Sequence, residues 1–499
     1  MRNVISSQMQ LGQTDIHNII IDVSSRDDIP PILLGLQHIY INRPLRTAVF
    51  KILEEVIPYK TDSKTECFIP VASDQGRPGM EQWSILVLGT LRLALNADYD
   101  RIQELANEHR TLRMMLGHGI FDTENNYRLQ TLKDNLKLFT PAIMSRISAE
   151  VIRVGHGLLD LDIDAMIRGR CDSFVLKTDV HFPTDINLLY DAIRVLSRDC
   201  VNWSKEYSLP GWRQHQYNLR QFKQQYRIIQ KLRHSTSKDD KKKQIQAEKI
   251  VEAHRDYLLL AQTYMTRITD SCDRLENTYK VPEVLLVELN IFIQHAARQI
   301  DQIQRRVIEG KKIPHAEKVF SLFEPHTEWI NKGKAGVPVE LGLRVCIMED
   351  THGFILHHLV MQNQTDDKVA IEMVEATQEK FPLFSACSYD KGFHSPDNQR
   401  ELKEILEQVV LPKKGRLTIK EKEREYAAEF VQARKQHSAV ESAINALEVH
   451  GLDTCPDHGI EGFQRYTAMA VLSRNIQILG TIIRDQKREE LELQQQQAA

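Results

Sequence analysis

The sequence predicts an α/β protein: a mixed sheet with flanking helices, preceded by a helical N-terminal region and interrupted by a helical insertion. Three observations carry this expectation. Short runs rich in Val, Ile, Phe and Thr, such as "CDSFVLKTD" and "VELGLRVCIMED", stand beside longer runs whose apolar residues recur at three-four spacing. After residue 317 the runs read three strands, helix, strand, helix, strand, helix, the order of a mixed sheet covered by helices. Residues 1–165 and 186–316 read as helix almost throughout.

Taken in order, "RTAVFKILEEVI", "WSILVLGTLRLAL", "YDRIQELANEHRTLRMML" and "RLQTLKDNLKLF" are amphipathic helices of an N-terminal region, residues 1–165, divided by loops such as "SDQGRPG". Asp122 or Thr123 is placed to cap a helix after "GIF". At Cys171 the pattern changes, and "CDSFVLKTDVHFPTD" predicts strand, turn and short strand running into Pro183. A helical insertion over 186–316 follows, with a charged break at "STSKDDKKKQ". The sheet resumes from Lys318 with "KVFSLF", then with "VELGLRVCIMED" and "GFILHHLVMQ" paired as a hairpin across Thr351-His352-Gly353. Helix "DDKVAIEMVEATQEKF", strand "LFSACSYD", helix "SPDNQRELKEILEQ", strand "VVLP" and one long helix from about Ile419 complete it. The core domain is thus expected over 166–185 and 317–480, with 481–499 a solvated low-complexity tail.

At 499 residues the chain has material for about two to four domains. A net charge of −3 gives no global basic field, so any role on nucleic acid must rest on local patches. The seven cysteines are scattered singly, as expected of reduced thiols in a cytoplasmic protein. The N-terminus lacks the apolar core of a secretion signal. The most apolar run, "WSILVLGTLRLALNA", contains Arg92 and is shorter than the ~20 residues of a membrane span. No membrane partner is expected.

The stretch "SACSYDKGFHSPDNQREL" ends a strand on an acid, Asp390, before a Lys391-Gly392 turn. Alone, Asp390 is a turn former. In the last helical segment Val440, Ala443, Ile444 and Leu447 make an apolar stripe, and His437, Glu441, Asn445 and Glu448 a polar one beside it. Packed on a sheet, this segment can aim Glu441 at the strands bearing Asp172 and Asp390. Three carboxylates that close need a cation, and their hard oxygens suit Mg²⁺ or Mn²⁺. Two such ions about 3.5–4 Å apart support phosphoryl transfer.

These segments resemble the DDE-class transposases of bacterial insertion sequences, most closely the ISNCY family. The residues carrying the likeness are "CDSFVLKTDVHFPTDINLLYDAIRVL", "FSLFEPHTEWINKGKAGVPVELGLRVCIMED", "SYDKGFHSPDNQREL", "VVLPKKGR" and "RKQHSAVESAINALEVHGLDTCPDHGIEGFQRYTAMAVLSRNIQILG". "SRDDIPPILLGLQHIY" and "GRPGMEQWSILVLGTLRLALNADYDRIQELANEHRTLRMMLGH" look like the family's leading helical region.

The resemblance implies an RNase H-like catalytic core, DNA binding by residues 1–165, and Asp172, Asp390 and Glu441 as catalytic acids holding two Mg²⁺ or Mn²⁺. Asp179 and Asp185 compete for the first role. The implied reaction is hydrolysis at the element's terminal inverted repeats followed by attack of the freed 3′-hydroxyl on target DNA. It needs no nucleotide cofactor, and no GxxxxGK[ST] loop is present. Synapsis of two ends implies a homodimer or higher oligomer on DNA, in the bacterial cytoplasm and at the nucleoid when bound. Alternatives are an inactive DNA-binding descendant of such an enzyme, or a metal-dependent nuclease.

Around the third acid the related superfamily often has Tyr, Arg and Lys, where this chain has Arg434, His437 and Glu448. Arg434, Lys435, His437 and Lys391 are therefore candidates for the flanking phosphates. Arg110 and Arg113 in the leading region, and Lys332 and Lys334 in "NKGKAG", are further candidates, each readable also as ordinary surface charge. Thr184 and Asp185 read as a helix start, His394 and Ser395 as a cap, and Cys455 to His458 lacks the second ligand pair of a zinc site. In "WRQHQYNLRQFKQQYRIIQKLRH" the aromatic spacing marks a core stripe, while the basic residues remain available to phosphate.

Overall fold

The computed structural model describes residues 3–6, 8–9, 11–56, 59–61, 68–70, 79–122, 124–159, 166–234, 239–331 and 338–498. The chain is mixed α/β and forms two compact units, residues 1–179 with 330–499, and residues 180–329.

The first unit opens with helices α1 (Ile29–Ile41), α2 (Arg43–Glu54), α3 (Gln82–Ala94), α4 (Tyr99–Glu108), α5 (Arg110–Met115), α6 (Leu129–Leu136) and α7 (Pro141–Leu158). Their starts follow local chemistry: Asn42, Asp98 and Thr140 each accept a backbone N–H of the next turn, and Pro141 follows its cap directly. α3 is buried on every side, Arg92 included, as its all-round apolar sequence requires. Arg92 is neutralised by Asp457 at 3.0 Å and covers the Tyr99 ring. Among the described residues no helix is long and apolar enough to cross a membrane.

Among the described residues the sheet has seven strands: β1 (Ile167–Thr178), β2 (Val339–Asp350), β3 (Ile355–Met361), β4 (Phe384–Tyr389), β5 (Gln408–Val410), β6 (Thr454–Cys455) and the short strand Glu328–Asn331, which pairs with β2. Their order is β3-β2-β1-β4-β5, with β6 beside the end of β1. β2 is antiparallel to β1 and β3, while β4 runs parallel to β1 and β5 to β4. The crossover helices are α12 (Asp366–Lys380) and α13 (Pro396–Ile405), counted after the four helices of the second unit.

The first unit ends in α17 (Gly459–Ala498), which packs on α1, α3 and α7. One apolar core contains Ile32 of α1, Trp83 of α3, Leu176 and Ile347 of the sheet, and Leu472 of α17. Residues 1–165, expected as a separate domain, therefore share their core with the sheet. α1 and α17 meet backbone to backbone: a Cβ on Gly480 would overlap the Pro31 carbonyl oxygen, and one on Gly35 the Ile476 carbonyl oxygen. Asn475, fully buried on α17, completes the β2–β3 hairpin. It accepts from Ile355 N at 2.9 Å and donates to Ile355 O at 3.0 Å and to Ser148 Oγ at 2.7 Å.

The second unit is helical, and wider than the expected 186–316. Its helices are α8 (Asp185–Tyr207), α9 (His215–Arg233), α10 (Asp240–Asp273) and α11 (Val287–Ile303) around their own core. Phe222 stacks on Tyr257 at 4.4 Å and is core, Tyr226 is half-buried, and Tyr217, expected on the same stripe, is exposed.

Three expectations are corrected. "KVFSLF" is not a strand: Phe320 packs against Trp329 and Phe323 against Phe292, and Leu322 is buried among the helices. Its apolar residues thus serve helix packing, and the short strand of this stretch is Glu328–Asn331. The long helix from Ile419 is instead α14 (Ile419–Tyr426), α15 (Ala428–His437) and α16 (Val440–Leu447), broken where Ala427 turns extended and at Ser438–Ala439. No short strand precedes Pro183; Thr184 caps α8 by accepting from Asn187 N. The tail after residue 480 stays helical within α17, largely exposed from Asp485 but tied back where Arg488 Nε donates to Val23 O at 2.6 Å.

His254, buried in the second unit, donates from Nδ1 to Ile250 O at 2.6 Å and accepts at Nε2 from Arg233 at 3.1 Å. The bond from Arg233 requires neutral imidazole, because Nε2 must accept. Burial first, then the Arg233 and Arg306 charges, push its pKa down to about 4, against the helping Ile250 bond. Above pH about 6.5 the ring is neutral in both folded and unfolded chains. As pH falls from about 6.5 toward 4 the unfolded chain takes up the proton first, and stability is lost. The expected result is a melting temperature that drops across this window. His254→Gln, which keeps an acceptor for Arg233, flattens that drop in melts recorded from pH 7.5 to 4.5.

Candidate acidic active site

Adjacent parallel strands set the first two acids side by side. Cys171 of β1 pairs with Tyr389 of β4, and the next residue on each strand is Asp172 and Asp390. Parallel neighbours lie about 4.8 Å apart. Cys171 and Tyr389 are fully buried, so alternation turns the two acids to the opposite face.

Each acid is fixed by a backbone donor. Ser173 N–H donates to Asp172 Oδ1 and Gly392 N–H to Asp390 Oδ1, both at 2.7 Å. Gly392 also has a steric reason: a Cβ there would stand 2.9 Å from Asp390 Oδ1 and 3.0 Å from Asp366 Oδ2. The Asp-Lys-Gly run is therefore a turn and an acid holder at once.

The third acid comes from the face on which Asp172 opens. Ser388, two residues before Asp390, hydrogen-bonds His437 Nδ1 at 3.0 Å and ties the end of α15 to β4. Glu441 follows in the first turn of α16, exposed, while Val440, Ala443 and Leu447 enter the core as their spacing predicts. His437, expected on the exposed polar stripe, is buried instead. Burial and the Arg170 charge push its pKa down to about 4, so it is a neutral anchor and carries no charge to a phosphate.

Electrostatics join the cluster. Burial raises the Asp172 carboxyl most. The Ser173 bond opposes this, repulsion from Asp390, Asp366 and Glu441 adds to it, and the pKa reaches about 7. Asp390, open at its rim but recessed at its carboxyl, is also raised, by burial first and by Asp366, against its bond from Gly392. Asp179 is not among the charges acting on Asp172, and Asp185 is held by Arg306 at 2.8 Å within the second unit. Of the three competing acids, only Asp172 stands with the others.

Asp366 was not foreseen. "TDDKV" reads as a helix start, and Asp366 does lie in the first turn of α12. It accepts from Ser173 Oγ at 2.6 Å and flanks Asp390 across Gly392, reaching the cluster from the sheet face opposite Asp172. The usable signal is positional: like Asp390, it follows the C-terminal end of a strand parallel to β1.

As placed, no three His, Cys, Asp or Glu side chains among the described residues stand close enough to hold one ion. The donor set nevertheless fits a hard divalent cation. All four groups are carboxylates, none forms an ion pair among the described residues, and their mutual repulsion is what a cation would relieve. Replacing one charge by an isostere should therefore stabilise the cation-free protein. Asp366→Asn, whose Oδ1 still accepts from Ser173, is expected to melt a few degrees above wild type in EDTA. Asp366→Ala, which loses that bond, is expected to melt lower.

The basic candidates are scattered. Lys391 is exposed beside Asp390, and Arg434 and Lys435 are exposed on the last turn of α15. Arg110 is exposed at the start of α5. Arg113 is committed elsewhere: it donates to the carbonyls of Asn107, Asp122 and Asn125 and holds their loop. Lys332 and Lys334 lie outside the described residues. Ser395 caps α13 by accepting from Asn398 N, as its position suggests.

No protein-family model, curated protein or solved structure matches the chain.

Proposed function

We propose that the chain is a DNA transposase of the DDE class, cutting the ends of an insertion sequence and joining the freed 3′-hydroxyl to target DNA. One observation carries the reading: Asp172 and Asp390 end adjacent parallel strands, and Asp172 feels the charges of both Asp390 and Glu441, residues remote from it in sequence. The strand order β3-β2-β1-β4-β5, with β2 alone antiparallel to β1 and its neighbours, supports an RNase H-like core bearing the first acid on its central strand.

In this reading Asp172, Asp390 and Glu441 would hold two Mg²⁺ or Mn²⁺, with Asp366 flanking Asp390. The ions, when bound, would neutralise the carboxylates and polarise the scissile phosphodiester. The chain's own part is positional. Ser173 and Gly392 N–H groups orient the first two carboxylates, and Ser388 with His437 fixes the segment that brings Glu441. Exposed Lys391, Arg434 and Lys435 lie near enough in sequence to these acids to meet the flanking phosphates.

That no three ligands are close enough as placed favours a second reading, an inactive DNA-binding descendant. The deciding experiment takes the DNA flanking the gene as substrate, searches it for inverted repeats, and measures its Mg²⁺-dependent cleavage with Asp390→Asn beside wild type. Cleavage and 3′-end joining by wild type alone support the transposase. Cleavage without joining indicates a nuclease, and binding without cleavage the inactive descendant.

A further inference from the structure

Helix α9 is singular in its charge. Its nineteen residues, His215–Arg233, contain five Lys or Arg and no Asp or Glu, in a chain whose net charge is −3. Arg220, Lys223, Arg227 and Lys231 recur at three-four spacing, and all four are exposed. Arg213, two residues before the helix, is also exposed.

The opposite face anchors the helix. Phe222 and Ile229 are fully buried, Phe222 between Tyr190 and Tyr257 at 6.0 and 4.4 Å. The cationic face is thereby held outward. None of the four cations forms an ion pair among the described residues; Arg220 bonds only the Gln216 carbonyl, and Lys223 lies 5.9 Å from the Tyr190 ring. By contrast Arg233, off this line, is spent on His254.

We infer that this face of the second unit is a binding surface for the phosphate backbone of duplex DNA. Residues three and four apart on a helix are about 5–6 Å from one another, and the four cations extend over roughly 16 Å of helix axis. That is enough to follow four or so successive phosphates of one strand. The other exposed positions of the helix before Arg233 are Gln216, Tyr217, Gln224 and Ile228; the two apolar side chains stand about three turns apart and do not form the clustered anchor that centres a protein–protein interface. The surface recognises charge spacing and carries no base readout. It belongs to the second unit and shares no residue with the acid cluster, so it adds a means of holding DNA that does not depend on the chemistry.

The test measures binding of the full-length protein to a fluorescent random-sequence duplex of about 30 base pairs, in EDTA, from 50 to 200 mM KCl. The quadruple variant Arg220→Gln, Lys223→Gln, Arg227→Gln, Lys231→Gln should bind at least about tenfold more weakly at 100 mM, with a log–log salt slope shallower by roughly 3–4. Arg220→Lys with Arg227→Lys keeps the charges and should keep the slope, which guards against a folding artefact in the quadruple variant. A second control neutralises Lys403, Lys420, Lys422 and Lys487, exposed residues of the first unit outside 1–165, and should leave the slope near wild type. An unchanged slope in the quadruple variant overturns the inference, as does equal loss in either control. Because cleavage is not read, failure here leaves the transposase reading standing, and failure of cleavage leaves this surface standing.

Discussion

Asp390→Asn binds inverted-repeat DNA as wild type does and does not cut it. The loss of Mg²⁺-dependent cleavage is expected to be roughly 10³-fold or more, since a ligand of the reacting centre is removed with no group in reserve. Asn keeps an oxygen to accept from Gly392 N–H, so the turn at 391–393 should persist and the melting temperature in EDTA should hold or rise. Asp172→Asn is expected to behave alike, because Ser173 N–H can still find an acceptor there. Glu441→Gln separates the third acid from Asp366: if Glu441 completes the site its loss matches the other two, and if Asp366 does, Asp366→Asn will be the silent enzyme and Glu441→Gln the active one. Cleavage by Asp390→Asn at the wild-type rate would end the assignment.

Gly480→Ala is expected to destabilise the protein by roughly 2–4 kcal/mol, the reverse of what the same change does in an ordinary helix. Glycine within a helix ordinarily costs about 0.5–1 kcal/mol relative to alanine. At residue 480 that gain is overwhelmed, because the added methyl would occupy the place of the Pro31 carbonyl oxygen and force α1 away from α17. The displaced helix carries Ile32, Leu33, Leu36 and Ile39, all essentially fully buried, so the strain spreads into the main core. Gly157→Ala is the matched control: it lies in α7 with no atom within 4 Å of the new Cβ, and should be neutral or slightly stabilising. Urea denaturation of both variants measures the contrast. A Gly480→Ala protein as stable as wild type would show that the crossing opens at little cost.

Much of the sheet was legible because its strands obey period-two alternation or run as short β-branched blocks closed by turn residues. The hairpin across Thr351–Gly353 is of this kind, while the strand before Asp390 is marked by its aromatic residues and the Asp-Lys-Gly turn that closes it. What escaped was set by contacts distant in sequence. "KVFSLF" has strand composition, yet its rings find partners on Phe292 and Trp329. The segment after Ile419 has helical composition throughout, yet Ala427 takes an extended conformation that no propensity marks. Asp366 carries the commonest local excuse an acid can have, a place in the first turn of a helix, and only the strand order reveals that this turn opens beside Asp390. His437 sits at the polar position of its stripe and is buried because Ser388 offers it a bond.

The placement of α17 has a consequence for biogenesis. The helices that surround it, α1, α3 and α7, leave the ribosome more than 300 residues earlier, yet the apolar surface that α17 covers on them has no partner until the segment beginning at Gly459 has been made. For that interval the nascent polypeptide exposes α3, apolar on all sides, and the hairpin at Ile355 waits for the amide of Asn475. Holding chaperones should therefore associate with this chain late into translation, and release it only once its final helix emerges.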